Sequence, residues 1–375
     1  MKLGFLTLNT SSFRGGSEKL WRGLAKKAAV QNHDVVVSVF HSEFIETANL
    51  FKNSNVKVHS RPSFTGNSIQ KKIIGRIQEK LIGWRYNTFF RGPEPDAYVI
   101  SCGGLAELGI RRNQIQIKNI SKPYVIIIQN NTENWVFEKG NLNIVGNLVQ
   151  GAVNVFFVSH RIQEQAERQL GMTFNNASLV ANPIVKSEAT KLPTSDVVKA
   201  AFIGTADLRV KGLGLLIQAM AHRDWADRQL VINVYGEGVH EEEIKLLIEK
   251  FGVGDKFKIH GWVDDIEQIW NQNSTLISTS FNEGLPLVIQ EAMMRGRVVV
   301  ATDVGGPAEI ITDGENGYIA EAASLSYVLN ALERWWKDRK NWEAVGEKAA
   351  SRIREFHEII PKGEAVLEAL ITQND

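Results

Sequence analysis

Glu283 and Glu291 stand eight positions apart on either side of a Gly284-Leu285-Pro286 turn, in the stretch Phe281-Asn282-Glu283-Gly284-Leu285-Pro286-Leu287-Val288-Ile289-Gln290-Glu291. One carboxylate precedes a predicted helix and the other falls in its second turn, so the two can accept hydrogen bonds from different parts of one extended, hydroxyl-rich ligand. Pro286 suits the first helical turn, where a missing N–H leaves no bond unmade. The unpaired N–H groups of that turn and the helix dipole favour an anion such as phosphate. Other glycine turns follow predicted strands: Gly204, then Arg209 and Lys211; Gly236 and Gly238; Gly261 before Trp262 and Val263; and Gly305-Gly306. In a parallel sheet such turns fall at the C-terminal strand ends, where ligands sit. They are expected to line one rim, with Arg209 and Lys211 as a cationic clamp for a diphosphate.

The elements that must hold these residues are short apolar runs alternating with helical stretches. In the first half the runs fall at 2–8, 34–40, 56–60, 96–101, 124–129, 154–159 and 177–180. In the second they fall at 200–203, 230–235, 257–259, 276–280 and 298–302. Both halves therefore read as βαβ series with mostly parallel, doubly wound sheets. At 375 residues the chain exceeds one ordinary core, and 185–198, which loses periodicity and turns polar, is the expected linker. The first series opens as strand, Gly15-Gly16, then a helix with Leu20, Trp21, Leu24 and Ala28 on one face. That is a phosphate-type turn without the full spaced fingerprint of dinucleotide sites. Trp335, Trp336 and Trp342 fit a helical pair packed on the second sheet.

Composition narrows the class. Hydrophobic residues make up 43% and charged residues 23%, as in soluble globular proteins. The single cysteine, Cys102, excludes an internal disulfide and a thiolate metal cluster; it reads as a packed strand-end residue. No run reaches the roughly 18 apolar residues of a spanning helix, and the chain opens on a strand pattern in place of a secretion signal, so a cytoplasmic protein is expected. The net charge of +1 conceals an asymmetry: residues 1–184 carry 22 Lys and Arg against 12 Asp and Glu, and residues 185–375 carry 21 against 30. A basic half suits an anionic acceptor, a nucleic acid or a membrane surface. Nucleic acid is set aside because no helix-turn-helix, zinc-finger or RNA-recognition pattern accompanies the charge. Residues 68–91 combine Ile69, Ile73, Ile74, Ile77 and Leu81 at helical spacing with Lys71, Lys72, Arg76, Lys80 and Arg85. This is either an ordinary surface helix or a peripheral contact with an anionic membrane on the inner face of the plasma membrane.

Taken in order, Lys211-Gly212, Glu283-x7-Glu291, Asp303-Val304-Gly305-Gly306-Pro307-x-Glu309-Ile310 and Asp313-Gly314-Glu315-Asn316-Gly317 resemble glycosyltransferase family 4. The resemblance extends to Gly15-Gly16 and to Val180-Ala181-Asn182-Pro183. It implies a GT-B fold, two Rossmann-like domains facing a central cleft. Residues 1–184 would be the acceptor-binding domain, 185–355 the nucleotide-sugar donor domain, and 356–375 a C-terminal helix returning to the first. It further implies a retaining hexosyltransferase that takes a sugar from UDP or GDP and passes it to a glycan or lipid-linked acceptor in surface polysaccharide or glycolipid synthesis. No cofactor or metal would be needed, so Asp264-Asp265 is assigned none. Glu291 would bind the ribose, Glu283 the transferred sugar and Lys211 the diphosphate, with the N–H groups of Gly284, Leu285 and Leu287 around sugar and phosphates. Trp262 and Val263 would lie near the base, and Gly16 near the phosphates. Two positions depart from the family. Thr205 stands where an Arg is usual, with Arg209 as the expected substitute. Gln129-Asn130-Asn131 stands where many members have a His; Asn130 could hydrogen-bond the sugar but not act as a base, and His160 reads as a surface or capping residue. A GT-B nucleotide-sugar epimerase and a non-catalytic nucleotide-sugar binding or membrane-scaffold module remain alternatives.

Overall fold

Runs such as Val-Val-Val-Ser-Val and Tyr-Val-Ile-Ile-Ile have no polar alternation, which marks strands covered on both faces. The computed structural model, which describes residues 1–9, 15–61, 94–118 and 120–372, places them so. Val35, Val37 and Val39, like Ile126, Ile127 and Ile128, are fully buried. The chain divides into two units, Met1–Pro183 with Ile360–Asp375, and Ile184–Ile359.

The first unit holds β1 (Lys2–Thr7), β2 (Asp34–Phe40), β3 (Val56–Arg61), β4 (Ala97–Cys102), β5 (Tyr124–Ile128), β6 (Asn154–Phe157) and β7 (Ala177–Leu179). They form one parallel sheet in the order β3-β2-β1-β4-β5-β6-β7. The order reverses between β1 and β4, the place where doubly wound sheets leave a crevice. Cys102 ends β4, buried, with its thiol pushed well up by that burial. The C-terminal helix Glu364–Ile371 belongs to this unit: Val366, Leu367 and Leu370 pack with Leu20, Trp21, Leu24 and Ala28 of the helix Ser17–Val30. Lys27 pairs with Glu364, and Ala181 N donates to Pro361 O at 2.9 Å. The break before this tail falls after Ile359, where the helix Trp342–Ile359 ends, four residues beyond the boundary read at 355/356. The basic stretch 68–91 lies outside the described residues.

The second unit holds β8 (Val198–Ile203), β9 (Leu230–Tyr235), β10 (Phe257–Gly261), β11 (Thr275–Ser278), β12 (Val298–Thr302) and β13 (Tyr318–Ala320). They lie parallel in the order β10-β9-β8-β11-β12-β13, so the switch point falls between β8 and β11. The three-residue β13 has no counterpart among the predicted strands. Trp335 stacks between Trp225, with centroids 6.3 Å apart, and Trp342, at 4.8 Å, and its indole N–H donates to Thr275 Oγ1 at 3.2 Å. These tryptophans are core. Among the described residues no helix is long and apolar enough to cross a membrane.

The polar stretch read as a linker is fastened at its middle. Arg297, 1% exposed, donates to Thr190 O at 2.8 Å and Thr190 Oγ1 at 2.7 Å, and also to Trp270 O and Arg295 O. Burial lowers its pKa to about 10, so it stays charged at neutral pH inside a shell of oxygens.

Past the C-terminal ends of β1 and β2, burial and, second, the neighbouring Glu18 carboxylate raise the Glu43 carboxyl to about 7, against Arg22 and Arg61. The folded chain therefore keeps a proton that the unfolded chain releases near its ordinary 4.5. Stability from this group falls as pH rises from about 4.5 to about 7, and is level above. Glu43→Gln is expected to raise the unfolding temperature at about pH 8 more than at about pH 4.5. Equal shifts at both pH values in differential scanning calorimetry would count against it.

Candidate functional site

At the C-terminal end of the second sheet, backbone bonds join each loop to the next. Gly236 N donates to Gly261 O at 2.7 Å, Gly204 N to Tyr235 O at 3.0 Å and Ala206 N to Glu237 O at 3.0 Å; Phe281 N donates to Val210 O at 2.8 Å and Gly306 N to Gly284 O at 2.6 Å. These contacts need glycine at two points above all. Gly212, at φ 66°, precedes the helix Leu213–Met220, and a Cβ there would run into the carbonyl of Thr279, whose hydroxyl donates to Gly212 O at 2.9 Å. Gly305, at φ 71°, sits with the carbonyls of Glu283 and Gly284 where its Cβ would be.

Within this frame Lys211 Nζ meets Glu283 Oε1 at 2.6 Å, with the two side chains 20% and 11% exposed. Ser280 Oγ donates to the same carboxylate oxygen at 2.7 Å. The aliphatic stem of Lys211 lies across Gly204, its carbons 3.1–3.2 Å from where a Cβ would stand. A mostly desolvated pair of this kind fixes both groups, and breaking it from one side strands the other. Glu291 lies half-buried in the second turn of the helix Leu287–Met294, and Pro286 is the residue just before that helix, not its first. Gln290, fully buried, donates from Nε2 to Leu285 O at 3.3 Å and receives a bond from His357 Nε2 at 2.8 Å. It thereby holds the carbonyl of the turn between the two glutamates.

Arg209 stands apart from this group. Its guanidinium is 73% exposed and pairs with Asp207 at 2.7 Å, whose carboxyl is held down at about 2 chiefly by that hydrogen bond. Trp262 is 42% exposed, and its indole N–H donates to Asp264 at 2.7 Å; Val263 beside it is partly buried. Asp265 caps the helix Ile266–Gln272 by accepting from Glu267 N. Both acids of that pair thus serve local bonds.

In the first unit, Gly16 occupies the cap position of the helix Ser17–Val30, directly after Gly15; Arg14 of the same loop is outside the described residues. Asn130 follows β5, and its Oδ1 accepts from Asn131 N at 2.7 Å. Of the three consecutive amides, Gln129 and Asn131 are buried, on Asn182 at 2.8 Å and Gln169 at 2.9 Å, and Asn130 stays partly exposed. His160 is the exposed first residue of the helix His160–Leu170, which Ser159 caps.

Sequence reasoning missed Ser280, Gln290 and a chain of bonds that links buried Asn233, Tyr235 and Asn273 to His260 at the surface. In that chain Asn233 donates to Asn273 at 2.7 Å, Asn273 donates to the Tyr235 hydroxyl at 3.0 Å, and His260 bonds Asn233 at 2.9 Å. Asn233 alone carried a signal, a polar residue inside the apolar run Leu-Val-Ile-Asn-Val-Tyr.

Residues 188–352 match the family described as glycosyl transferases group 1. The chain is similar to an uncharacterized glycosyltransferase of Haemophilus influenzae, at 21% identity over 88% of this chain and 89% of that protein. It is also similar to the lipopolysaccharide core biosynthesis mannosyltransferase LpcC of Rhizobium leguminosarum bv. viciae, at 31% identity over 38% of this chain and 42% of that protein. The match spans only 16% and 32% of the length of two further curated relatives. Among solved structures, HepE of Anabaena in complex with UDP-glucose superposes with a TM-score of 0.70 at 18% identity, covering 100% of this chain and 99% of that one. The fold is thus that of the GT-B glycosyltransferases, two Rossmann-like α/β units with parallel sheets. The family match and the relatives support a glycosyltransferase.

Proposed function

We propose that this protein is a retaining, metal-independent glycosyltransferase of family 4, moving a hexose from a nucleotide diphosphate sugar to a glycan or lipid-linked acceptor in surface polysaccharide or glycolipid synthesis. The observation that carries the reading is the Lys211–Glu283–Ser280 group, seated among interbonded glycine loops at the switch point of the second sheet. The mannosyltransferase and the UDP-glucose complex among the relatives support the substrate class. Lys211 neutralises the diphosphate, Glu283 binds the sugar, and Glu291 accepts from the ribose. The N–H groups of Gly284, Leu285 and Leu287 surround sugar and phosphates, Gly204 leaves room for the stem of Lys211, and the base lies by Trp262 and Val263.

No strong nucleophile is required. The bond from the anomeric carbon to the diphosphate oxygen breaks, the acceptor oxygen bonds that carbon from the same face, and the acceptor's proton passes to the departing phosphate. Charge developing on the phosphate is then the quantity to stabilise, and a preorganised ammonium is suited to that.

Release of free nucleotide from UDP-, GDP- and ADP-sugars, with and without lipid-linked acceptor, tests the reading. Acceptor-dependent release with retained anomeric configuration is expected, and it should be lost in Glu291→Ala. No release from any donor would overturn it, and a sugar interconverted without transfer would point to an epimerase. Arg209, a second cation that must leave Asp207 to act, is expected to matter less: Arg209→Ala should cost under about tenfold in kcat/KM, the scale of one exposed ion pair. A larger loss would make it the main clamp.

A further inference from the structure

The loop that carries Trp262 and Val263 leaves the second sheet from β10, which pairs with β9 alone among the described residues. Ladder bonds reach such an edge strand from one side, and its end frays unless side chains hold it. Here the register shifts. Ile259 pairs with Val234 and Gly261 with Tyr235, leaving His260 as the extra residue. A bulge of this kind re-aims the side chain it carries. The His260 ring lies on that of Tyr235, with centroids 4.7 Å apart and planes 15° apart.

His260 also ends the polar chain. Asn233 uses its amide N–H on Asn273 Oδ1 at 2.7 Å, so the atom facing His260 Nε2 at 2.9 Å is the Asn233 oxygen, and the imidazole donates. Burial and, second, the Lys258 ammonium lower the pKa of His260. The ring is therefore neutral at neutral pH, with its proton on Nε2. At the other end of the chain Asn273, fully buried, follows the helix Ile266–Gln272 and donates to Ile269 O at 2.8 Å and to the Tyr235 hydroxyl at 3.0 Å. His260 and Asn273 thus bracket the segment that holds Trp262, and each is bonded to a side chain of β9. The bond from Trp262 to Asp264 and the cap at Asp265 lie within the segment.

We propose that His260 is a positioning residue for nucleobase recognition: through Asn233 and Tyr235 it fixes the turn Gly261, Trp262 and Val263 in one setting, and that setting decides which base of a nucleoside diphosphate is accepted. The proposal rests on the reading of this site as a nucleotide-sugar site. Its physical reason is preorganisation. A turn already in place loses little freedom when a base enters, whereas a loose one must be ordered at a cost in affinity. Discrimination falls as well, because a turn that adapts can re-pack around any base.

The test uses the full chain with UDP, GDP, ADP and inorganic pyrophosphate as probes in titration calorimetry. Pyrophosphate reports on the phosphate clamp without a base. His260→Phe keeps a ring for Tyr235 and removes the donor to Asn233, and His260→Gln returns a donor. The preferred nucleoside diphosphate is expected to bind about five- to tenfold more weakly in His260→Phe, the scale of one hydrogen bond. Its preference over the other two should shrink, pyrophosphate binding should be unchanged, and His260→Gln should recover most of the loss. In chain labelled with 5-fluorotryptophan, the Trp262 resonance, assigned with Trp262→Phe, should shift in ligand-free His260→Phe and shift less in His260→Gln. Three results would each overturn the inference and leave the transferase reading standing: an unmoved base preference, an unmoved Trp262 signal, or nucleoside diphosphate and pyrophosphate weakened alike. Failure of the parent chain to bind any nucleoside diphosphate would overturn that reading, and the inference with it.

Discussion

Lys211→Ala is expected to lower kcat/KM for the nucleotide sugar by about 10²–10³-fold, the loss typical of one preorganised charge stabiliser, in a chain that still folds. Two effects are mixed in that variant. The ammonium that the proposed reading sets against the leaving charge is gone, and among the described residues Glu283, 11% exposed, keeps Ser280 alone as a side-chain donor. An orphaned carboxylate destabilises the fold, by less than the roughly 3–5 kcal/mol of a fully buried pair because both side chains retain some solvent. Adding Glu283→Gln separates the two. The double variant should recover most of the unfolding temperature lost by Lys211→Ala and none of the activity. Activity within about threefold of the parent in Lys211→Ala would remove Lys211 from the site, being under 1 kcal/mol of transition-state stabilisation.

Gly305→Ala is expected to produce the largest loss of stability. A residue with a Cβ at φ 71° costs about 1–2 kcal/mol from backbone strain alone. Here the Cβ would also press on the carbonyls of Glu283 and Gly284, so the loop carrying Glu283 must move or the bond from Gly306 N to Gly284 O must break. A total of about 3 kcal/mol or more is expected, a drop of roughly 6–12 °C in the unfolding temperature of a unit this size. Gly314→Ala is the control, since Gly314 has φ 74° but nothing within 4 Å of its Cβ position; it should show the strain without the collision. Equal losses in the two variants would mean that the approach of the two loops contributes nothing.

Much of this arrangement could be read from the chain because it is written in local terms. Runs of Val and Ile buried on both faces declared the parallel strands, and in the second half a glycine after each run declared a loop at the same end of the sheet. β13 escaped because three residues, Tyr318–Ala320, are too few to show a period beside the polar Asp313 to Gly317 turn. Contacts distant in sequence were beyond pattern reading. Lys211 and Glu283 lie 72 residues apart, and nothing in either neighbourhood says that they meet. Arg209 is the opposite case: its partner Asp207 is two residues away, and a short-range pair of that kind could have warned that the arginine was engaged. Gln290 and Asn273 were invisible because a buried amide in a helix or at its end looks like any surface amide until its neighbours are known.

Arg297 bears on how the second unit could be made by itself. Its guanidinium divides its bonds between Thr190 and the carbonyls of Trp270 and Arg295. A fragment cut to begin at β8, where regular structure starts, would remove Thr190 and expose one side of a charge that the folded unit keeps dry. The autonomous piece therefore begins upstream of the first strand, near Ile184, and the apparently featureless segment before Val198 is a plug in the second unit's core.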